Sequence, residues 1–461
     1  MKYLFRIIVI LFFITGVSFS EENSNFETYD MDFSTAYELM FNNNNHIKAL
    51  LENINVHKYK KNSAIGEFFP KINLNASFIH FSKDINTDIP YLPLSGQIVP
   101  IPNLTIQDKN LGTFGFTALW NVFTGGKIIA YNSSARAKLL GADLKYKSVS
   151  NMLTVNLVKA YFGLSLAKDS ENVRKSVLEN AKKHLDDAAK MEKEGLIPKS
   201  ERLHAEVAYR QALKEYNSAQ RDVLIAEEGL KNLIKDDSAD LTNVSINPVS
   251  YLFVSNKQLD SLETLKEDAI QNNPDFKQTA VQKKLADANY LANVANYSPN
   301  ISVVAYDIVG QGHLARQIPR AGIGVMGNLT LFNGLSRYND LKAAKSLKKE
   351  VQYATNASKN DIEYLVAKNY NELFKYKEQY ESSEKSIEKA QESLRCAMLA
   401  FKEGYGTSLS VTDAQTMFGI IKIQKLKAVY DYDVKLVELL ANTGKSELIF
   451  DYIKDADEIK F

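Results

Sequence analysis

The residues best equipped for chemistry in this 461-residue chain are six histidines, one cysteine and scattered carboxylates. The histidines stand at 46, 57, 80, 184, 204 and 313, and none has a partner at a metal-ligand spacing such as HExxH. His184 is close to Asp186 and Asp187, but in a helical pattern, where a solvated cluster is the expectation. The lone Cys396 can form neither an internal disulfide nor a thiolate zinc site. Lying in a helical pattern, it is expected to be a buried small hydrophobe. There is no phosphate-cradling glycine loop, no G-x-S-x-G and no fixed carboxylate pair. The sequence thus offers no catalytic, cofactor or metal site, and an enzyme is not expected.

The bulk properties narrow the classes further. Lys+Arg number 56 against 55 Asp+Glu, a net charge of +1 that gives no reason to expect nucleic acid as a partner. Apolar residues make up 45% and mean hydropathy is −0.25, which excludes a polytopic helical membrane protein. Only 10 prolines and 21 glycines punctuate the chain, so its composition leans helical. Lys2 and Arg6 flank an apolar run over Ile7–Val17, followed by Ser18-Phe19-Ser20. This predicts an export signal over residues 1–20; the run is too short to span a bilayer.

The body is one plan written twice. Asn45-His46-Ile47-Lys48 corresponds to Pro274-Asp275-Phe276-Lys277, and Phe69-Pro70 to Ser298-Pro299. Further along, Phe123-Thr124-Gly125 falls on Phe332-Asn333-Gly334, and Glu194-Gly195 on Glu403-Gly404. Two repeats follow, 33–235 and 260–445, with a connector at 236–259 and a tail at 446–461. Each repeat orders a helix, two strands, a very long helix, a tight turn and a returning helix.

Proline ends the first helix of each repeat, predicted over 33–66 and 260–296, and starts the strands. Ile72, Leu74, Ala76 and Phe78 alternate with Asn73, Asn75 and Ser77. Period-two alternation places strands at 71–81, 111–123, 300–308 and 321–332, each with one apolar face. Such a face fits either a soluble half-buried sheet or a barrel wall turned to lipid. Phe78, Phe114 and Trp120 would then be interfacial aromatics. The 82–110 segment, with four prolines, is read as a long external loop. Leu335–Glu403 contains neither Gly nor Pro, and Gly126–Glu194 contains no Pro. Each predicts a helix about 100 Å long, far beyond the helices of ordinary globular domains. Ile387, Ala390, Leu394, Ala397 and Phe401 repeat at coiled-coil spacing. Because four strands cannot close a barrel and lipid forbids open edges, a membrane wall would require several chains.

The duplicated order, the proline-led strands, the Phe-x-Gly after each second strand and the Glu-Gly turns together resemble the TolC-type outer membrane efflux proteins. The resemblance covers about 33–445. It implies a mainly α fold with a β-barrel portion: long coiled-coil hairpins and four transmembrane strands per chain, closed as a trimeric twelve-stranded barrel and helical tunnel. It implies a homotrimer in the outer membrane of a Gram-negative bacterium, reaching into the periplasm. The role implied is that of a passive exit duct for drugs, metals or proteins, coupled through a periplasmic adaptor to an inner-membrane pump. In that family the second-repeat tip narrows the mouth. Here that tip is Gly404-Tyr405-Gly406-Thr407-Ser408-Leu409-Ser410-Val411-Thr412-Asp413. Asp413 matches the second acid of the family's Asp-x-x-Asp, Ser410 replaces the first, and Gly406 replaces a restraining basic residue of some members. Asp413, Ser410, Thr407 and Gly406 are therefore the implied aperture. Gly195, Leu196, Pro198, Lys199, Gly404 and Tyr405 form the tip turns, the first tip being the expected adaptor contact. The alternative is a periplasmic or surface coiled-coil protein whose strands form a soluble sheet and which has no pore.

Overall fold

A computed structural model describes residues 27–86, 91–100, 105–234, 244–250, 252–255, 257–310 and 319–458. The expected export signal lies outside them. The first repeat contains β1 (Glu27–Met31), α1 (Phe33–Asn43), α2 (Asn45–Gly66), β2 (Lys71–His80), and the short β3 (Ile85–Asn86), β4 (Tyr91–Leu94), β5 (Gln97–Pro100) and β6 (Thr105–Gln107). It continues with β7 (Asn110–Phe123), α3 (Lys127–Lys193) and α4 (Lys199–Ile234). The connector holds β8 (Val244–Pro248) and β9 (Phe253–Ser255). Then come α5 (Leu262–Asn272), α6 (Pro274–Ala295), β10 (Asn300–Gly310), β11 (Ala321–Asn328), α7 (Ser336–Lys402), α8 (Ser408–Asn442), α9 (Ile449–Lys454) and β12 (Ala456–Glu458).

The structure departs from the expected opening helices and adds detail elsewhere. The opening helix of each repeat is not continuous. It breaks at Asn44 and Asn273, whose side chains accept hydrogen bonds from the His46 and Phe276 N–H groups at 2.8 Å each and cap a new helix. Pro274 at the first position of α6 reinforces that break, since its missing N–H is unpaired there anyway. The 82–110 segment carries two short strand pairs, β3–β6 and β4–β5. The connector is built into the fold, with β8 pairing in parallel with β1. In the tail, β12 pairs with β9. β11 ends at Asn328 rather than 332, while β10 runs on to Gly310.

α3 and α7 each contain 67 residues. Each packs antiparallel to its returning helix, and α3 also contacts α2, α6 and α8. Gln278 donates to the Gly141 carbonyl at 2.7 Å and Ser148 to Asp275 at 2.6 Å, tying the two repeats side by side. Alanines 130, 137, 142, 286 and 288 are buried along these contacts, which is how the backbones come close.

The main core lies at mid-length, where both repeats, the connector and the tail meet. Phe33, Tyr161, Phe162, Leu157, Ile246 and Leu436 are all buried in it. Phe33 stacks on Phe162 with centroids 5.6 Å apart. The Tyr161 hydroxyl donates to the Met31 carbonyl at 2.7 Å and accepts from Ser250 N–H at 3.0 Å, so its polar end is satisfied.

Asp433 is fully buried in this core. Its Oδ2 accepts from Phe253 N–H at 3.3 Å, and its Oδ1 has no partner among the described residues. Burial pushes this carboxyl well above its ordinary value of 3.8. The folded state therefore holds a proton that the unfolded chain releases, and stability falls as pH rises above about 3.8 toward the raised folded value. Asp433→Asn is expected to flatten that decline and to raise the melting temperature at neutral pH by several degrees. Thermal unfolding at pH 4.5 and 7.5 checks this; parallel pH profiles for the two proteins would contradict it.

The four long strands form one antiparallel sheet in the order β11-β10-β7-β2. Register assigns its faces. Leu74 lies opposite Phe116, Ala76 opposite Phe114 and Val303 opposite both Trp120 and Val325, so these residues share one face. The other face carries Asn75, which donates to Thr117 at 2.8 Å, and the Ser77–Thr113 and Ser302–Asn121 hydroxyl contacts at 2.7 and 2.8 Å. There Tyr306 lies over Gly322, where an added Cβ would come within 2.8 Å of the ring. The apolar face is bare: Ile72 is 69% exposed, Phe78 69%, Ile323 81% and Val325 75%.

Candidate functional site at the hairpin tips and sheet edges

Each long helix ends in the same way because each turn contains Glu-Gly. Gly195 and Gly404 adopt φ of 76° and 78°, a left-handed conformation that other residues rarely accept. Leu196 N–H reaches back to the Met191 carbonyl and Gly195 N–H to that of Glu192, at 2.8 and 2.9 Å. Tyr405 and Gly404 repeat this onto Ala400 and Phe401. These paired bonds satisfy carbonyls that the helix end would leave unpaired, and they reverse the chain within a few residues. Leu196 is 65% exposed and Tyr405 91% exposed, so both tips end in a bare apolar side chain. Pro198 and Lys199 open the returning helix of the first tip.

At the second tip, Thr407 caps α8. Its Oγ1 accepts from Ser410 N–H at 3.2 Å and lies 2.6 Å from the Ser410 hydroxyl. Ser410 is thus committed to the cap. A Cβ on Gly406 would stand 2.8 Å from Phe401 N, so this turn has no room for a side chain. Asp413 is exposed on α8 two turns from the tip.

The two tips are fastened together by residues the sequence did not single out for this place. Ser408 is completely buried. Its N–H donates to Glu201 Oε2 at 2.6 Å, so the α4 carboxylate caps the first turn of α8 from the other hairpin. Its hydroxyl lies 3.1 Å from His184 Nε2, and the His184 ring meets Phe401 edge-on with centroids 4.6 Å apart. Ala188, Ala205, Phe401 and Val411 complete the seal. His184 is 5% exposed, which corrects its reading as a solvated cluster. Ala181, His184 and Ala188 share one buried helical stripe, and that register was the available signal. Burial lowers the imidazole pKa, against smaller opposing effects of Asp187 and Glu201. Cys396 is exposed, so its expected burial is also corrected.

At the far end of the long helices, the sheet leaves β2 and β11 each with one edge unpaired among the described residues. Trp120, on the apolar face, donates through Nε1 to the Phe68 carbonyl at 2.9 Å, fixing the base of the sheet to the end of the α2 segment. Phe114 and Phe78 lie farther along that face. Among the described residues, no group of His, Cys, Asp and Glu could hold a metal ion. No described helix is long and apolar enough to cross a membrane.

Two hairpins, an upper helical layer and an open-edged sheet are the parts of a tube segment. The sequence profile of the family described as "outer membrane efflux protein" matches residues 36–234 and 265–445. The chain belongs to that family. Outer membrane proteins and channels of known structure share its fold. The Campylobacter jejuni CmeC outer membrane channel aligns with a TM-score of 0.75 at 16% identity, over 92% of this chain and 90% of its own. VceC, an outer membrane protein of Vibrio cholerae, gives 0.73 at 14% identity, over 90% and 96%. CusC, described as forming a transmembrane channel, gives 0.75 at 16% identity, over 90% and 93%. Among curated protein sequences none matches.

Proposed function

We propose that three copies of this chain form a passive duct through the outer membrane of a Gram-negative bacterium, with helical hairpins reaching into the periplasm. The observation that carries this is the sheet: four strands with two unpaired edges, a bare apolar face and a hydrogen-bonded polar face. Within a bilayer those edges find no water, so the sheet must close on further copies. Three copies give twelve strands, with the apolar face toward lipid and the polar face toward a lumen. A soluble coiled-coil protein would instead cover that face, and no described residue does.

In this assembly Asp413 contributes one carboxylate per chain to the mouth, with Thr407, Ser410 and Gly406 shaping the turn around it. Leu196 and Tyr405, bare at the tips, are the surface for a periplasmic adaptor, with Gly195, Pro198, Lys199 and Gly404 fixing their position. The adaptor joins the duct to an energised inner-membrane pump, and drugs, metals or proteins are the class of cargo. The chain itself performs no catalysis.

The test is electrical. Detergent-purified protein should have the mass of three chains and conduct in discrete steps in planar bilayers. Asp413→Asn should reduce cation-over-anion permeability by about two- to fivefold, because a ring of like charges concentrates counter-ions in a narrow pore. Monomeric, detergent-independent protein without conductance would end the duct reading. Unchanged selectivity in the variant would remove Asp413 from the mouth.

A further inference from the structure

We propose that the outward face of the helices immediately below the sheet binds the phosphate headgroups of an anionic phospholipid leaflet. This rests on the sheet being a membrane wall. Lys147 of α3 and Lys277 of α6 line a groove whose other side is the start of the tail, residues 446–448. In a tube of these helices that tail must lie outside, since it would block the bore. A helix turns 100° per residue, so Arg136, eleven residues from Lys147, and Lys284, seven from Lys277, stand about 20° from those outward positions. Lys284 and Asp287 share one flank of α6, and Asp287 lines a second groove with Lys345 and Lys349 of α7. The opposite face is distinct. Lys138, nine residues from Lys147, is about 180° round from it. With Lys60 it adds to the effect of burial in lowering the His57 pKa.

The outward cations are exposed, and Arg136, Lys284, Lys342, Lys345 and Lys349 form no ion pair among the described residues. Over residues 336–359 six cations face two acids. Counted from the start of α7, Lys342 to Lys349 lie about 10–20 Å below the sheet junction. Lysine stems extend toward an interface, and the field of a charged leaflet reaches about one Debye length, ~8 Å. Tyr297 and Tyr338 stand nearer the sheet junction than the lysines, Tyr297 against Arg337 at 4.8 Å and Tyr338 under Lys342 at 4.3 Å, while Tyr290 lies among the lysines against Lys348 at 5.0 Å. An apolar wall, then tyrosines, then unpaired lysines is the order of hydrocarbon, interface and phosphate in a bilayer. An anionic cell-wall polymer would account for the lysines but not for the aromatic band above them.

The experiment uses the full chain in nanodiscs made from an equimolar mixture of phosphatidylcholine and phosphatidylglycerol. Lipid retained after mild detergent extraction is measured by mass spectrometry. Wild type should retain phosphatidylglycerol in at least about fivefold preference at low salt, the equivalent of one engaged lysine, and lose that preference in high salt. The combined Lys284→Gln, Lys342→Gln, Lys345→Gln and Lys349→Gln variant should show no preference while still conducting. The Lys60→Gln, Lys138→Gln variant should behave as wild type. Wild type without lipid preference, or a quadruple variant that keeps it, overturns the proposal. So does wild-type binding to purified cell-wall glycan that the quadruple variant loses with its lipid preference intact. Wild-type conductance without lipid preference defeats only this inference, whereas absence of conductance defeats the duct itself.

Discussion

Lysine at both Leu74 and Val325 is expected to stop the protein from entering membranes. Leu74 is near the middle of β2 and Val325 near the middle of β11, 57% and 75% exposed. Register puts both on the face that carries Phe116 and Trp120. Near the bilayer midplane a lysine on the lipid side of a barrel costs about 2–4 kcal/mol. Two together cost enough to lower the inserted population about a thousandfold or more. Asn75→Lys, on the opposite face, meets water in a lumen and should insert as wild type does. Insertion is read as heat-resistant assembled protein and as channel events per quantity added. If the Leu74→Lys, Val325→Lys variant inserts normally, the apolar face is not the lipid face.

The second large effect concerns the proposed mouth. Glu201→Ala with His184→Ala should loosen the second tip and raise conductance. Glu201 supplies the charged acceptor for Ser408 N–H, and His184 completes the burial of the Ser408 side chain. A hydrogen bond to a charged group contributes about 1.5–3 kcal/mol, so its loss should shift the closed–open balance of the tip about ten- to a hundredfold. Glu201→Gln, which keeps a neutral acceptor, should fall between. Acid should act in the same direction. Burial lowers the His184 pKa, so the unfastened tip binds protons more readily and the fastened state weakens as pH falls below about 6.5. Asp187 and Glu201 face the ring and reduce this response without reversing it. Single-channel recordings between pH 7.5 and 5 measure it. Conductance in the double variant equal to wild type at every pH would show that this contact does not hold the mouth.

Much of this architecture is local information. Pro70 and Pro299 stop helices because the ring removes a donor, and the alternation that follows them is strand geometry written out in residues. The long helices are legible because nothing in Leu335–Glu403 can break one. Gly195 and Gly404 mark the turns because φ near 77° rejects a Cβ. Smaller devices are not legible in this way. Asn44 and Asn273 cap new helices and so break the opening rods, though an asparagine inside a helical pattern looks unremarkable.

The sequence by itself determined the repeated plan, the strand faces and the tip turns, because each depends on neighbours a few residues apart. Only the tertiary structure decided that His184 is buried against Ser408 and Phe401 while Cys396 is exposed. It also decided that Glu201 caps a helix 207 residues away and that Asp433 is sealed in the core without a full set of partners. The physical reason is that solvation belongs to whichever element lies across from a side chain. In a bundle whose helices pack on several neighbours, periodicity gives the angle of a residue around its own axis but not the helix that covers it.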